Sequence, residues 1–154
     1  MSGTTNYSDV LVKVQKQRKK YAETLDTLYA EIESHSEKVP SIEHSDDLWE
    51  YRDRFEEIRG VIYKLKKSAN RNCAEIKDGY RDGIRNAMAK ANHASGLAFA
   101  EREAKYEMQF ITEYKILSNL ERMVEDLDKF SWYLEGRLRW IQDRQRWLDW
   151  RERG

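Results

Sequence analysis

The sequence predicts an all-α protein, an elongated helical bundle with long coiled-coil-type helices that assembles into oligomers. Three observations carry this expectation. Apolar residues recur at 3–4 spacing through most of the 154-residue chain. One proline, Pro40, and seven glycines are too few turn signals for an all-β chain. Charged residues make up 36% against 40% apolar, which implies more surface than a compact sphere offers.

The first element is a helix over residues 1–38. Leu11, Val14, Tyr21, Leu25, Leu28 and Ile32 follow the helical period, with Arg18 alone out of pattern. Ser8 or Asp9 suits its start, because a side-chain oxygen there accepts from free first-turn N–H groups. Pro40 pushes the residue before it out of the helical region, so residues 39–45 are a loop.

The second element spans 46–96. Asp46, Asp47 and Glu50 complement the dipole of its first turn. Leu48, Tyr51, Phe55, Ile58, Ile62, Leu65 and Ala69 form its stripe, which continues through Cys73, Ile76, Tyr80, Ile84, Ala87 and Ala91. Gly79 and Gly83 weaken it by ~1 kcal/mol each relative to alanine. The expectation is one long helix, or two with a bend near 78–83.

Asn92–Gly96 reads as a break, and 97–154 as a C-terminal heptad helix. Leu117, Leu120, Val124, Leu127, Leu134, Leu138, Ile141 and Leu148 hold its a and d positions, with Ser131 and Gln145 as polar entries. A helix from Ala98 to Arg153 would reach roughly 80 Å and needs a partner along it. Three heptads repeat one order, from Tyr133, Trp140 and Trp147. Each places an arginine four residues after the aromatic: Arg137, Arg144 and Arg151. That spacing sets a guanidinium beside a ring. Leu134, Leu138, Ile141 and Leu148, with Trp140 and Trp147, are therefore the expected oligomerisation surface, since tryptophan and arginine are enriched where proteins meet.

Zero net charge hides alternating blocks. Residues 39–60 and 101–128 are acidic, whereas 61–100 and 129–154 are basic. The middle block carries Lys64, Lys66, Lys67, Arg71, Lys77, Arg81, Arg85 and Lys90. Lys77, Arg81 and Arg85 are four apart and form one basic line, with Lys67 and Arg71 as a shorter one. Such lines bind phosphates through counterion release, without sequence preference. Tyr63, Asn70 and Asn72 offer a stacking face and hydrogen bonds to an unpaired base. The rival reading is a solvated face that pairs with the acidic 101–128 block. Lys13, Lys16, Arg18, Lys19 and Lys20 form a third basic cluster, read as solvated.

Little points to catalysis. Ile32, Ser41 and Lys90 stand three residues before His35, His44 and His93, so the Glu-x-x-His pairs of di-metal bundles are absent. There is no His-Glu-x-x-His pair and no Gly-rich phosphate loop. Cys73 lies on an apolar stripe and reads as a small buried hydrophobe. One cysteine suits a reducing compartment, and no run approaches the ~18 apolar residues of a membrane span or the pattern of a signal peptide. The expectation is no enzyme, no cofactor and no metal.

The layout resembles the UvsY-type recombination mediator proteins of bacteriophages. The likeness covers residues 55–150: a basic middle, then Ala98-Phe-Ala-Glu-Arg-Glu-Ala-Lys-Tyr-Glu-Met108, then a heptad helix through Arg137-Leu-Arg-Trp-Ile-Gln142. It implies single-stranded-DNA binding, ring-like oligomers through the C-terminal helices, and loading of a recombinase onto strands coated by single-stranded-DNA-binding protein. It assigns DNA contact to Lys64, Lys67, Arg71, Lys77, Arg81 and Arg85. It assigns assembly to Leu117, Leu120, Val124, Leu127, Leu134, Leu138 and Ile141. The chain departs from the family at Lys77-Asp-Gly-Tyr-Arg-Asp-Gly83, where acids interrupt a stretch that is commonly basic with tyrosine. The expected setting is the cytoplasm of an infected bacterial host. The alternative is a coiled-coil adaptor acting through protein contacts alone.

Overall fold

The computed structural model describes residues 7–91 and 111–154, with side chains throughout except at Tyr80 and residues 83–91. Three long helices make it up: α1 Tyr7–Lys38, α2 Trp49–Ala91 and α3 Ile111–Arg153. Among the described residues there is no strand, so the all-α expectation holds. The helices contribute to two compact units, and each unit takes a piece of all three. One comprises Met1–Lys19 with Ser68–Val124, the other Lys20–Lys67 with Glu125–Gly154.

The second unit is a three-helix bundle. Leu25 and Ile32 of α1, Phe55, Ile58 and Ile62 of α2, and Leu127, Phe130, Leu134, Leu138, Ile141 and Leu148 of α3 are all buried. Tyr29 meets Phe130 edge-on at 4.6 Å between centroids, the arrangement that ring quadrupoles favour. Burial of Tyr29, with Asp126 and Asp26 nearby, pushes its hydroxyl pKa above the ordinary value. At the rim, Arg54 grips Glu31 through Nε and Nη2 at 2.9–3.1 Å. That hydrogen bond holds the Glu31 carboxyl below the usual range and raises the Arg54 guanidinium.

In the first unit Val14, Ala69, Ile116, Leu117, Leu120 and Met123 are buried among the described residues. Arg18, the residue out of pattern on α1, is half-buried and donates to Asn119 Oδ1 at 3.0 Å. It spans α1 to α3 rather than joining a solvated basic cluster.

The expected loop at 39–45 is mostly turn. A 3-10 turn, Val39–Ser41, follows α1 directly with Pro40 in its first turn, where a missing N–H costs nothing. A second, Ser45–Leu48, leads into α2. Ser45 does not act as a side-chain cap. It is buried, and Glu152 of α3 accepts its N–H at 3.2 Å and its hydroxyl at 3.4 Å. α2 then runs through Gly79 and Gly83 as one helix. Residues 1–6, the break expected at 92–96, and residues 97–110 lie outside the described residues.

Candidate nucleic-acid interface

The basic residues of α2 fall into two groups with different surroundings. Arg54, Arg59 and Lys66 are tied down. Arg59 pairs with Glu135 at 3.1 Å, and Lys66 Nζ lies 2.6 Å from Asp128 Oδ1. Lys64 and Lys67 in the second unit, and Arg71, Lys77 and Arg81 in the first, are exposed. Among the described residues none of these five forms an ion pair. Arg85 lies on α2, but its side chain and that of Lys90 are outside the described residues.

The helical period explains part of the division. Phe55, Ile58, Ile62 and Ala69 face inward, so Arg54, Arg59 and Lys66 at the flanks of that stripe reach neighbouring acids, while Lys64, Lys67 and Arg71 on the opposite side reach water; Lys77 and Arg81 lie between the two and are exposed. Tyr63 is 66% exposed and lines a shallow groove of about 230 Å³ with Arg59, Lys66 and Glu135. Asn70 is exposed and Asn72 half-buried. The acids Glu75, Asp78 and Asp82 are also exposed among these cations, as the departure at 77–83 implies.

The a/d stripe of α3 is not an open seam. Leu117, Leu120, Leu127, Leu134, Leu138, Ile141 and Leu148 are buried within a single chain, while Val124 is half-buried. The partner expected along this helix is the chain's own α1 and α2. Heptad leucines look alike whether the facing helix is intramolecular or intermolecular, so periodicity alone did not separate the two. Packing against two helices also widens the stripe. Ile116, Met123 and Phe130 are buried although they lie off the expected a/d positions. Ser131 is only half-buried, and Phe130 takes the core site beside it.

The aromatic–arginine heptads hold the second unit together. Arg137 stacks over Tyr133 at 5.5 Å and Trp140 at 5.4 Å, and its Nη2 reaches Glu33 at 3.3 Å. The Tyr133 hydroxyl donates to Glu33 as well. Arg144 stacks over Trp147 at 4.8 Å and donates to the carbonyls of Pro40 and Ile42 at 3.2–3.3 Å. Arg151 covers the same ring at 5.0 Å and donates to the Glu43 carbonyl at 2.9 Å. Trp140 is therefore covered by Arg137, three residues before it, rather than by Arg144, which turns to the 40–42 carbonyls. Trp140 is half-buried and Trp147 exposed.

Sequence periodicity missed these carbonyls as the target of the arginines. The one signal was the seven-residue spacing of Arg144 and Arg151 on α3, which reach the Pro40, Ile42 and Glu43 carbonyls. Periodicity also missed Glu152 as the cap of Ser45, which is a contact across 107 residues.

Other chemistry-bearing groups are sparse. Cys73 is half-buried, and burial raises its thiol pKa, with Glu121 adding to the rise and Lys77 opposing it. His35 packs on Tyr51 at 5.0 Å in a groove of about 380 Å³ lined by Glu50, Asp53, Arg54 and Glu57. Among the described residues no three His, Cys, Asp or Glu side chains group as metal ligands, and no helix is long and apolar enough to cross a membrane. Comparison with known protein families, curated proteins and solved structures finds no match.

Proposed function

We propose that this chain is a non-catalytic, oligomeric accessory protein that binds single-stranded DNA along α2, in the manner of the phage recombination mediators its layout resembles. One observation carries the reading. Lys64, Lys67, Arg71, Lys77 and Arg81 are exposed without an ion pair among the described residues, although the chain pairs Arg54, Arg59 and Lys66. Exposed Tyr63 and Asn70 add a stacking face and a hydrogen-bonding group to the same helix. Several copies add weak sites through effective concentration. A recombinase and a single-stranded-DNA-binding protein are the protein partners this role requires, and the bacterial cytoplasm is its setting.

The adaptor reading has its own observation. Lys66–Asp128 joins the basic and acidic blocks inside one unit, as a self-recognising charge pattern would. Fluorescence anisotropy of a labelled oligothymidine at low and physiological salt separates the two. Affinity that falls steeply with salt supports DNA binding. No binding at either salt removes it and leaves the adaptor.

A further inference from the structure

The outermost face of α3 carries a pattern that the bundle does not use. Trp132, Gly136, Arg139, Asp143, Arg146 and Trp150 are all exposed, and their spacing runs four, three, four, three, four. That spacing places them on one line opposite the core, over five helical turns or roughly 27 Å. Trp132 is 82% and Trp150 71% exposed, so both ends of the line are large rings in water. Gly136 has nothing within 4 Å of an added Cβ and its φ is not positive, so nothing in the chain itself calls for glycine there.

The order of residue types is self-complementary on reversal about a point level with Ile141. A second α3 laid antiparallel on this line sets tryptophan against tryptophan at both ends. It sets Arg139 against Asp143, and Asp143 against Arg139, at the middle. It also lays each Arg146 across Gly136, where the missing side chain admits a guanidinium close to the backbone. We infer that this face is an isologous two-fold seam between two copies of the chain, running from Trp132 to Trp150.

Several features favour a second copy over a nucleic acid. Asp143 sits between the two arginines and repels phosphate. The four-three spacing is that of a helix facing a helix. The pairing of Asp143 with Arg146 on its own helix is long, at 3.7 Å, and leaves both side chains 70–80% exposed. One step beyond the tryptophans, Lys129 would meet Arg153, and those like charges end the seam. Four tryptophans at ~150–250 Å² each would supply most of the area of a small stable interface, about 1,200 Å². The seam deepens the oligomeric part of the proposed function and leaves the α2 cations free.

Sedimentation velocity on the full chain, with oligothymidine anisotropy on the same samples, tests it. The wild type should dimerise below roughly 100 µM, and Arg139→Asp should weaken dimerisation at least about tenfold. The double exchange Arg139→Asp with Asp143→Arg should restore it, because both symmetry-related pairs are rebuilt in reverse. Gly136→Leu should weaken dimerisation while its helix content and melting stay at the monomer level or above. On an oligothymidine short enough to engage one chain, so that the gain from several copies does not enter, DNA affinity should survive in every variant. A protein monomeric throughout, an assembly indifferent to the exchange, or an Arg139→Asp variant that loses DNA instead of its second copy would each overturn the seam. Loss of DNA binding in the wild type would instead overturn the α2 reading alone.

Discussion

Arg52 Nη1 donates to Gln145 Oε1 at 2.9 Å, while Gln145 Nε2 approaches the Ser45 carbonyl at 3.5 Å. A buried amide at a core position of α3 thus bridges the Arg52 side chain of α2 and the 3-10 turn that precedes α2. Gln145→Leu keeps the volume but strips both partners. The expected loss is about 1–3 kcal/mol, the cost of leaving a buried polar group unsatisfied. Urea unfolding measures it. A midpoint at or above the wild type would mean that the amide adds nothing.

The same region is braced from outside by Arg144, which donates to the carbonyls of Pro40 and Ile42 and covers Trp147. Arg144→Ala should cost about 1 kcal/mol, as a half-exposed guanidinium loses two hydrogen bonds. It should also shift tryptophan emission to the red as Trp147 becomes wetter. Arg146→Ala, on the outer face, should change neither readout in the monomer.

Glu31 ionises more readily in the fold than in the unfolded chain, because Arg54 hydrogen-bonds its carboxylate. The folded state therefore binds fewer protons there. The pair's contribution is full above the unfolded carboxylate pKa and is lost as pH falls through the depressed folded value. With both side chains partly exposed it is about 0.5–1 kcal/mol. Glu31→Gln should be less stable than the wild type at neutral pH, and the gap should close in acid. A gap that is constant with pH would show that the carboxylate charge is irrelevant.

For DNA, Lys77→Ala with Arg81→Ala should reduce the slope of log affinity against log salt by about 1.4, near 0.7 for each phosphate contact on a single strand. Lys66→Ala should leave that slope unchanged, since Lys66 is engaged by Asp128. Equal effects from the two variants would dissolve the distinction between paired and unpaired cations.

Phe130→Ala should cost about 3–5 kcal/mol, and Ser131→Ala less than about 0.5. Phe130 is fully buried against Tyr29, and Ser131 is only partly covered. Calorimetric melting ranks the two. The reverse order would return the core to the strict heptad positions.

The helices were legible in the sequence because Val14, Leu25, Ile32, Phe55, Ile58 and Ile62 keep one period over many turns, and each is buried. Phe130 was hidden because a strict heptad describes one facing helix, and α3 faces two. Arg18, Arg144 and Glu152 were hidden for another reason. Their partners, Asn119, the 40–42 carbonyls and Ser45, are about a hundred residues away, and no local spacing encodes a pairing at that range. At the candidate site the cations were legible by type and spacing. Which of them stay free was legible only in part, because Lys66 flanks the apolar stripe and Lys67 stands opposite it, but no local spacing names Asp128 as the acid within reach.

The cap that Glu152 places on Ser45 joins groups 107 residues apart, and Phe130 reaches back to Tyr29. Helical proteins commonly fold quickly because their contacts are local, but here each compact unit waits for α3. Phe55, Ile58 and Ile62 of α2 are fully enclosed only once α3 has packed onto the same unit. Closing a loop of 107 residues costs chain entropy before any contact is made, so this chain should fold more slowly than its helix content alone implies.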